Sequence, residues 1–512
     1  MVDIIITTDR TMMSNHHGKE FLGFGATGVP ILLPEKLWMY MFAPKMKHKN
    51  GIPWQASYGI RKIEAALVDA GFDAKVVDPD YLDRYIDGAK ILMLSHHDYF
   101  GFGPPSSTFA SIFKQEPLNA KSFARLMNSE PVRRAKKNGI KIIAGGPSAW
   151  QWNYRKDLMD QWGIDTVVDG EGEKIVVELA KKVFNNEELP RFVVMNNKDA
   201  PSLDEIPEIK HASVNGLIEI MRGCIRGCKF CSVTLRALRF YPYEKIEKEL
   251  QVNYREGVRN GILHAEDVPL YGSTDYYPKT EKLIKLHQLT KKYYKNMAWS
   301  HASLAAVLAG EKNDKMLTKV SEIILKDQDW WGAEVGIETG SPRLAEIIMP
   351  NKAKPFDTKI WPDVVVEGAG LMNDKGLIPA MTLIVGLPEE TESDVIKTIE
   401  LVERMWDIKA IIMPMFFVPM GVLKNKDWYR AYNLTELQQE LLKICLSHGV
   451  RQGKQILKKY FKDRPYLYSI YPLYWIFIKT IERIAKKRGY LYTDISEIKI
   501  PEISNKEDPA PS

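Results

Sequence analysis

The 512-residue sequence predicts an α/β protein: a doubly wound parallel sheet, then six strand–helix repeats forming a partial barrel, then a helical C-terminal region. Three observations carry this. Over roughly the first 190 residues short β-branched runs alternate with helical ones, a pattern that right-handed crossovers turn into a parallel sheet. From about residue 210 six further β-rich runs recur with helical stretches between them, and after about residue 434 the strand alternation stops.

In the first part the strand candidates are Asp3–Thr7, Ala74–Val77, Lys90–Ser95, Lys141–Ala144 and Thr166–Val168, about five in all, with helices at Tyr58–Ala70, Ala120–Lys137 and Ile175–Val183. Ile60, Ile63, Leu67 and Ala70 repeat at helical spacing, and Gly71 stops that helix. A doubly wound sheet binds ligands beyond its C-terminal strand edge, which puts the Ser95–Gly101 and Gly145–Ser148 loops on the ligand side. The opening Thr7–Ser14 and the insertion Phe42–Trp54 exceed a minimal domain of this kind and suit a cover or a grip on a large substrate. The polar, proline-marked stretch beginning at Asn197 reads as a linker, dividing the chain into 1–196, a linker 197–212, a barrel 213–430, a helical region 431–500 and a disordered tail 501–512. The barrel strands are Leu217–Ile220, Gly261–His264, Ala298–His301, Glu334–Ile337, Ala380–Val385 and Ala410–Phe417, with chemistry expected on the loops that follow them.

Composition narrows the function. Hydrophobic residues at 45% and charged residues at 27% describe an ordinary globular chain, and a net charge of +6 spread along the length gives no nucleic-acid footprint. The N-terminus lacks the basic start and long apolar run of a secretory signal, so a cytoplasmic protein is expected. No run reaches the roughly 18 apolar residues of a spanning helix. After Pro472, Leu473, Ile476, Phe477, Ile481 and Ile484 form one helix face against Lys479, Glu482, Arg483 and Lys486. That face packs onto the barrel or touches lipid or a partner as a peripheral membrane contact.

Three of the four cysteines lie in Cys224-x3-Cys228-x2-Cys231, just past the first barrel strand. Thiolates at that spacing can hold zinc with a fourth ligand, or three corners of a 4Fe–4S cluster; the absence of a nearby fourth ligand favours the cluster. Three cysteines leave one iron open to a substrate or cofactor, which implies chemistry rather than electron storage. The motif, with Phe230 before its last cysteine, resembles the radical S-adenosylmethionine (SAM) superfamily. Gly336-Ile-Glu-Thr-Gly-Ser341 and Gly386-Leu-Pro-Glu-Glu-Thr391 resemble its stretches at the fourth and fifth strands, so the likeness covers most of residues 210–425. It implies that the open iron chelates SAM and that one electron, from a donor of the ferredoxin or flavodoxin type, cleaves SAM to a 5′-deoxyadenosyl radical. It also implies that Cys224, Cys228 and Cys231 hold the cluster, that the backbone at Phe230 meets adenine, and that Glu338 contacts the nucleoside or methionine. Where the family often has Gly-Gly-Glu, this chain has His264-Ala-Glu266-Asp267, leaving Glu266 to face the methionine ammonium.

Ahead of the barrel, Tyr58–Gly71, Gly145-Gly-Pro147 and Asp169-Gly-Glu171-Gly-Glu173 resemble the flavodoxin- or Rossmann-like cobalamin-binding domain of one large radical SAM subgroup, in the manner of its archaeal members. The resemblance implies a cobalamin site at Ser95, His96, Gly101, Gly145, Gly146, Glu171 and Gly172. There is no Asp-x-His-x-x-Gly run, so a histidine ligand to cobalt of the mutase kind is not expected; His96 and His97 stand on the right loop. The implied activity is methylation of an unactivated carbon in a peptide side chain, such as a glutamine of methyl-coenzyme M reductase, or in a metabolite. The alternative is cyclopentane ring formation in archaeal tetraether lipids, and a third class is a non-catalytic cobalamin and iron–sulfur sensor. Sulfur insertion would need a second set of cluster cysteines, and Cys445 alone remains, as a helix-core residue or a thiol hydrogen donor.

Overall fold

The run Ile4–Thr7 (β1) is buried along its whole length, which an apolar strand at the centre of a covered sheet requires. In this computed structural model, which describes residues 2–462 and 465–498, β1 lies between Ala74–Val76 (β2) and Ile91–Ser95 (β3). Lys141–Gly145 (β4), Thr166–Asp169 (β5) and Phe192–Val194 (β6) continue the sheet in the order β2-β1-β3-β4-β5-β6, every pair parallel. Alternate residues feed two cores: Ile5, Leu92, Leu94, Ile142 and Val167 on one face, and Ile4, Ile6, Met93, Ile143 and Val168 on the other. The direction of strand addition reverses between β1 and β3, which makes the ends of these two strands the switch-point crevice.

The sheet has six strands rather than five. Phe192–Val194 escapes the sequence reading because it is a three-residue edge strand with no buried residue. The helix expected over Ala120–Lys137 is two, Leu118–Met127 and Glu130–Lys137, because Pro131 has no amide hydrogen to continue the first and suits the opening turn of the second. Glu35–Phe42 (α1), Tyr58–Asp69 (α2) and Pro104–Phe113 (α3) complete the elements used below.

All six expected barrel strands form: Leu217–Glu219 (β7), Asn260–His264 (β8), Asn296–Trp299 (β9), Trp331–Glu338 (β10), Leu377–Val385 (β11) and Ile411–Phe416 (β12). They pair in parallel as β9-β8-β7 and β10-β11-β12, and a bridge between His301 and Glu334 joins the two halves. In β10 and β11 alternate residues are buried against the outer helices, while the others face a hollow lumen. The N-terminal domain packs along both outer strands. The Phe416 amide donates to Thr108 on α3 at 2.8 Å, and Ala56 bridges Ser213 just before β7. The stretch expected as a linker is packed too: Ile206, Ile209 and Ala212 are buried, and the Pro207 carbonyl accepts from Lys62 at 2.6 Å.

Helices Glu436–Lys462 (α4) and Pro465–Lys487 (α5) close the chain. Pro472 lies inside α5 rather than before it, and the buried stripe is Leu467, Ile470, Tyr474 and Ala485. Ile476, expected on the packed face, is 60% exposed, because that stripe meets Leu22, Trp38 and Phe42 around α1. The expected tail 501–512 lies outside the described residues.

Candidate functional site

The strand β7 leads into a short antiparallel ladder, Met221–Arg222 against Arg239–Phe240, and the three cysteines sit on the excursion this ladder ties at its neck. Gly223 enters it at φ +81°, where a Cβ would meet the carbonyl oxygens of Arg236 and Ala237 at 2.8 Å. Arg226, fully buried between the first two cysteines, anchors the loop. It donates to Asp267 (2.9 Å), to Ser303 (2.6 Å) and to the carbonyls of Asn351, Lys352 and Lys354 (2.9–3.1 Å). The Lys229 amide donates to the Ile348 carbonyl and its own carbonyl accepts from Val422, so, counting the Arg226 contacts, segments following β8, β9, β10 and β12 hold the cysteine loop.

Burial pushes the Cys224 thiol up to about 12 and Cys228 to about 11, and raises Cys231 as well. These thiols stay protonated until a metal displaces the proton. The cations Arg226 and Lys352 beside them suit an anionic cluster. Among the described residues no three His, Cys, Asp or Glu side chains converge closely enough to hold a single ion.

Glu338 ends β10 at φ +64°, a backbone conformation that costs a non-glycine residue of order 1–3 kcal/mol. Its carboxyl curls back over Gly336, where a Cβ would lie 1.9 Å from Oε1, and meets Lys352 at 3.7 Å and the Thr382 hydroxyl at 3.4 Å. Burial pushes its pKa up against the pull of Lys352. Glu266, half-buried, lies near enough to raise both Cys231 and His301, so it belongs to the site rather than to a solvated loop. Phe230 packs half-buried against the barrel core.

Residues 218–402 match the family model described as the Radical SAM superfamily. This barrel is a radical SAM domain. Similar proteins include MJ0865 of Methanocaldococcus jannaschii, provisionally named a methylthiotransferase, at 23% identity over 52% of this chain and 58% of that protein. The uncharacterized methyltransferase PH0819 of Pyrococcus horikoshii is 22% identical over 67% of this chain and 72% of its own. The ribosomal protein uS12 methylthiotransferase RimO of Thermotoga petrophila is 24% identical over 43% and 46% respectively. The match thus spans little more than half of the first of these relatives and less than half of the last. Among solved structures, the radical SAM methyltransferase TsrM of Kitasatospora setae, determined with cobalamin and a 4Fe–4S cluster bound, superposes with a TM-score of 0.53 at 12% identity. That likeness covers 82% of this chain and 76% of TsrM, so the shared fold extends beyond the radical SAM barrel.

The N-terminal crevice differs from the residue set that the sequence suggested. His96 has both ring nitrogens engaged, Nε2 with Asp9 at 2.8 Å and Nδ1 accepting from the Asp98 amide at 2.8 Å, so neither is available to cobalt. Glu171 is held by Arg222 and Arg239 of the radical SAM domain. Gly146 (φ +90°) is glycine because a Cβ would lie 2.6 Å from Ser95 Oγ and 3.1 Å from the His96 backbone, and Gly101 abuts Pro117 in the same way. Gly172 packs against Ile63. Gly145 and Ser95 do stand side by side at the ends of β4 and β3, and nothing lies within 3.6 Å of a Cβ on Gly145. Thr8 Oγ1 after β1 and Asp98 Oδ2 after β3 are buried without a hydrogen-bond partner. These orphaned groups at the switch point fit a polar ligand.

The structure also holds a cavity. It measures about 1240 Å³ and runs through the radical SAM lumen, walled by Ile262, Ala298, Trp330, Ile378 and Ala380. His17, Lys19, Tyr460 and Tyr466 line another side, with the Tyr466 hydroxyl donating to the His17 carbonyl at 3.0 Å. At its polar end the cavity is lined by His97, His264 and His301, with His97 near enough to His264 for its charge to act on it and the rings of His264 and His301 5.9 Å apart. Burial and the neighbouring imidazoles push His97 down to about 4. Burial works against charge on His301 too, but Glu334 at 3.3 Å and then Glu266 overcome it and raise it to about 9. Cys445, buried on α4 with its thiol pushed up to about 12, is a core residue of the barrel rather than part of this cavity.

Proposed function

We propose that the protein is a cobalamin-dependent radical SAM enzyme that methylates an unactivated carbon of a peptide side chain or metabolite. The observation that carries this reading is the apposition of the two halves: His97, on the switch-point loop of the doubly wound domain, lines one cavity together with His264 and His301, which follow radical SAM strands, and lies near enough to His264 for its charge to act on it. The methyltransferase TsrM, solved with cobalamin and cluster, has the same overall fold, and PH0819 carries a methyltransferase name, which supports it. When bound, the cluster with SAM would supply a radical that takes a hydrogen atom from the substrate carbon, leaving as 5′-deoxyadenosine, and cobalamin would supply the methyl group. The chain's own part is to hold iron through Cys224, Cys228 and Cys231, to orient SAM with Glu338 and Glu266, and to keep water from the lumen. Methylthiolation, named among the relatives, is disfavoured because Cys445 is alone outside the cluster motif.

A second reading, ring closure in a long-chain lipid, is favoured by the lumen, whose walls suit an extended apolar chain. One experiment separates the readings. Protein expressed anaerobically with cobalamin and carrying about four irons and a cobalt per chain, and releasing 5′-deoxyadenosine with reductant and SAM, supports the methyltransferase. Iron without cobalt leaves ring closure the better reading. Iron without 5′-deoxyadenosine release, with any candidate substrate, makes the protein a sensor. Cys224→Ala abolishes iron loading and cleavage in either enzyme reading, with the N-terminal domain still folded by circular dichroism.

A further inference from the structure

Among the described residues none covers the outer face of α5. Tyr468 and Ile476 are 46% and 60% exposed, and Tyr468, Tyr471 and Trp475 stack along the helix with ring centroids 5.8 and 6.1 Å apart. Leu32 and Tyr40, beside and on α1, add a further exposed pair at 52% and 50%, and a shallow apolar groove between α1 and α5 joins the two strips. At 3.6 residues per turn, Tyr468, Trp475, Lys479 and Lys486 lie on one line, with Arg483 and Lys487 beside it. The face is therefore aromatic in its first half and cationic in its second. Glu482 is the acid among these cations, and it is already shared by Lys454, Lys479 and Lys486.

We propose that this face seats on an anionic membrane surface, with the aromatic rings at headgroup depth and the lysines on lipid phosphates. Charge selects this occupant over a second copy of the chain. Self-association would bring two sets of four cations, each with one committed carboxylate, into the same desolvated contact. Among the described residues no helix is long and apolar enough to cross a membrane, so the contact is peripheral. Tyr466 and Ile478, on other sides of the same helix, line the lumen cavity, so seating α5 brings that cavity to the lipid surface.

The test is cosedimentation of the full chain with phosphatidylcholine vesicles, with and without phosphatidylglycerol. The protein is expected on the vesicles containing phosphatidylglycerol and to leave them as salt rises. Each of Lys479→Gln and Lys486→Gln weakens partition about fivefold, and Ile476→Asp weakens it further while the exposed position leaves the fold intact by thermal melting. Cys224→Ala protein binds as well as the native chain, so this result is independent of the catalytic reading. Absence from vesicles containing phosphatidylglycerol, salt-insensitive binding, or undiminished binding of all three variants overturns the proposal. A dimer that forms without vesicle partition and is lost in Ile476→Asp overturns it in favour of a second copy.

Discussion

Arg226 is the side chain on which the cysteine loop turns. Its five nitrogen contacts reach Asp267, Ser303 and three carbonyls on the 351–354 loop, and they end where a guanidinium fork, not a point charge, is needed. Arg226→Ala leaves Asp267 buried and unpaired, which costs about 3–5 kcal/mol, and Arg226→Lys restores little of it. Thermal melting and iron content of anaerobically purified variants check this: both fall together. The cysteines themselves were legible, because their spacing is a local pattern. Arg226 was not, because its partners stand 41 to 128 positions away and an arginine beside glycine reads as a solvated charge. Glu338 was legible from the stretch around it, whereas the left-handed backbone that aims its carboxyl is set by packing on Gly336. His96 was placed on the switch-point loop, but the sequence does not show that Asp9 and the Asp98 amide occupy both of its nitrogens.

The barrel strands were read from β-branched runs between amphipathic helices, and that signal is strong wherever one face is buried and the run exceeds four residues. It fails for a three-residue edge strand such as Phe192–Val194, and it says nothing of what a hollow lumen contains. The loop after β11 carries a consequence of burial. Glu390, accepting from the Gly386 amide at 3.0 Å and from Gln438 at 2.6 Å, is pushed by burial from the usual 4.5 up to about 7. The folded state then holds this proton more tightly than the unfolded chain. Its contribution is full below about pH 4.5 and is lost as pH rises through 7, about 3 kcal/mol over that span. Melting temperature is expected to fall between about pH 5 and 8, and Glu390→Gln, which keeps an acceptor for both donors, flattens that slope. An unchanged slope in the variant assigns the dependence to another group.

At the scale of the molecule the two halves are joined by buried charge as well as by apolar surface. Arg222, two residues before Cys224, pairs with Glu219 of its own domain at 2.9 Å and with Glu171 and Glu173 of the other. Scattered carboxylates and one arginine leave no mark in a sequence, so the interface was invisible there even though both folds were not. Replacing Glu171 and Glu173 together by Gln leaves Arg222 with Glu219 alone and Arg239 without a carboxylate at the neck of the cysteine loop. The double variant is expected to lose about 3 kcal/mol or more, and hydrogen exchange at Met221–Arg222 and Arg239–Phe240 reports the loosening directly. During synthesis the pair has a direction as well as an energy. Glu171 and Glu173 leave the ribosome some fifty residues ahead of Arg222, in a domain that folds first. The half of the chain made first is therefore the mould on which the neck of the iron site is cast, and a barrel expressed alone emerges with its arginine and no mould to receive it.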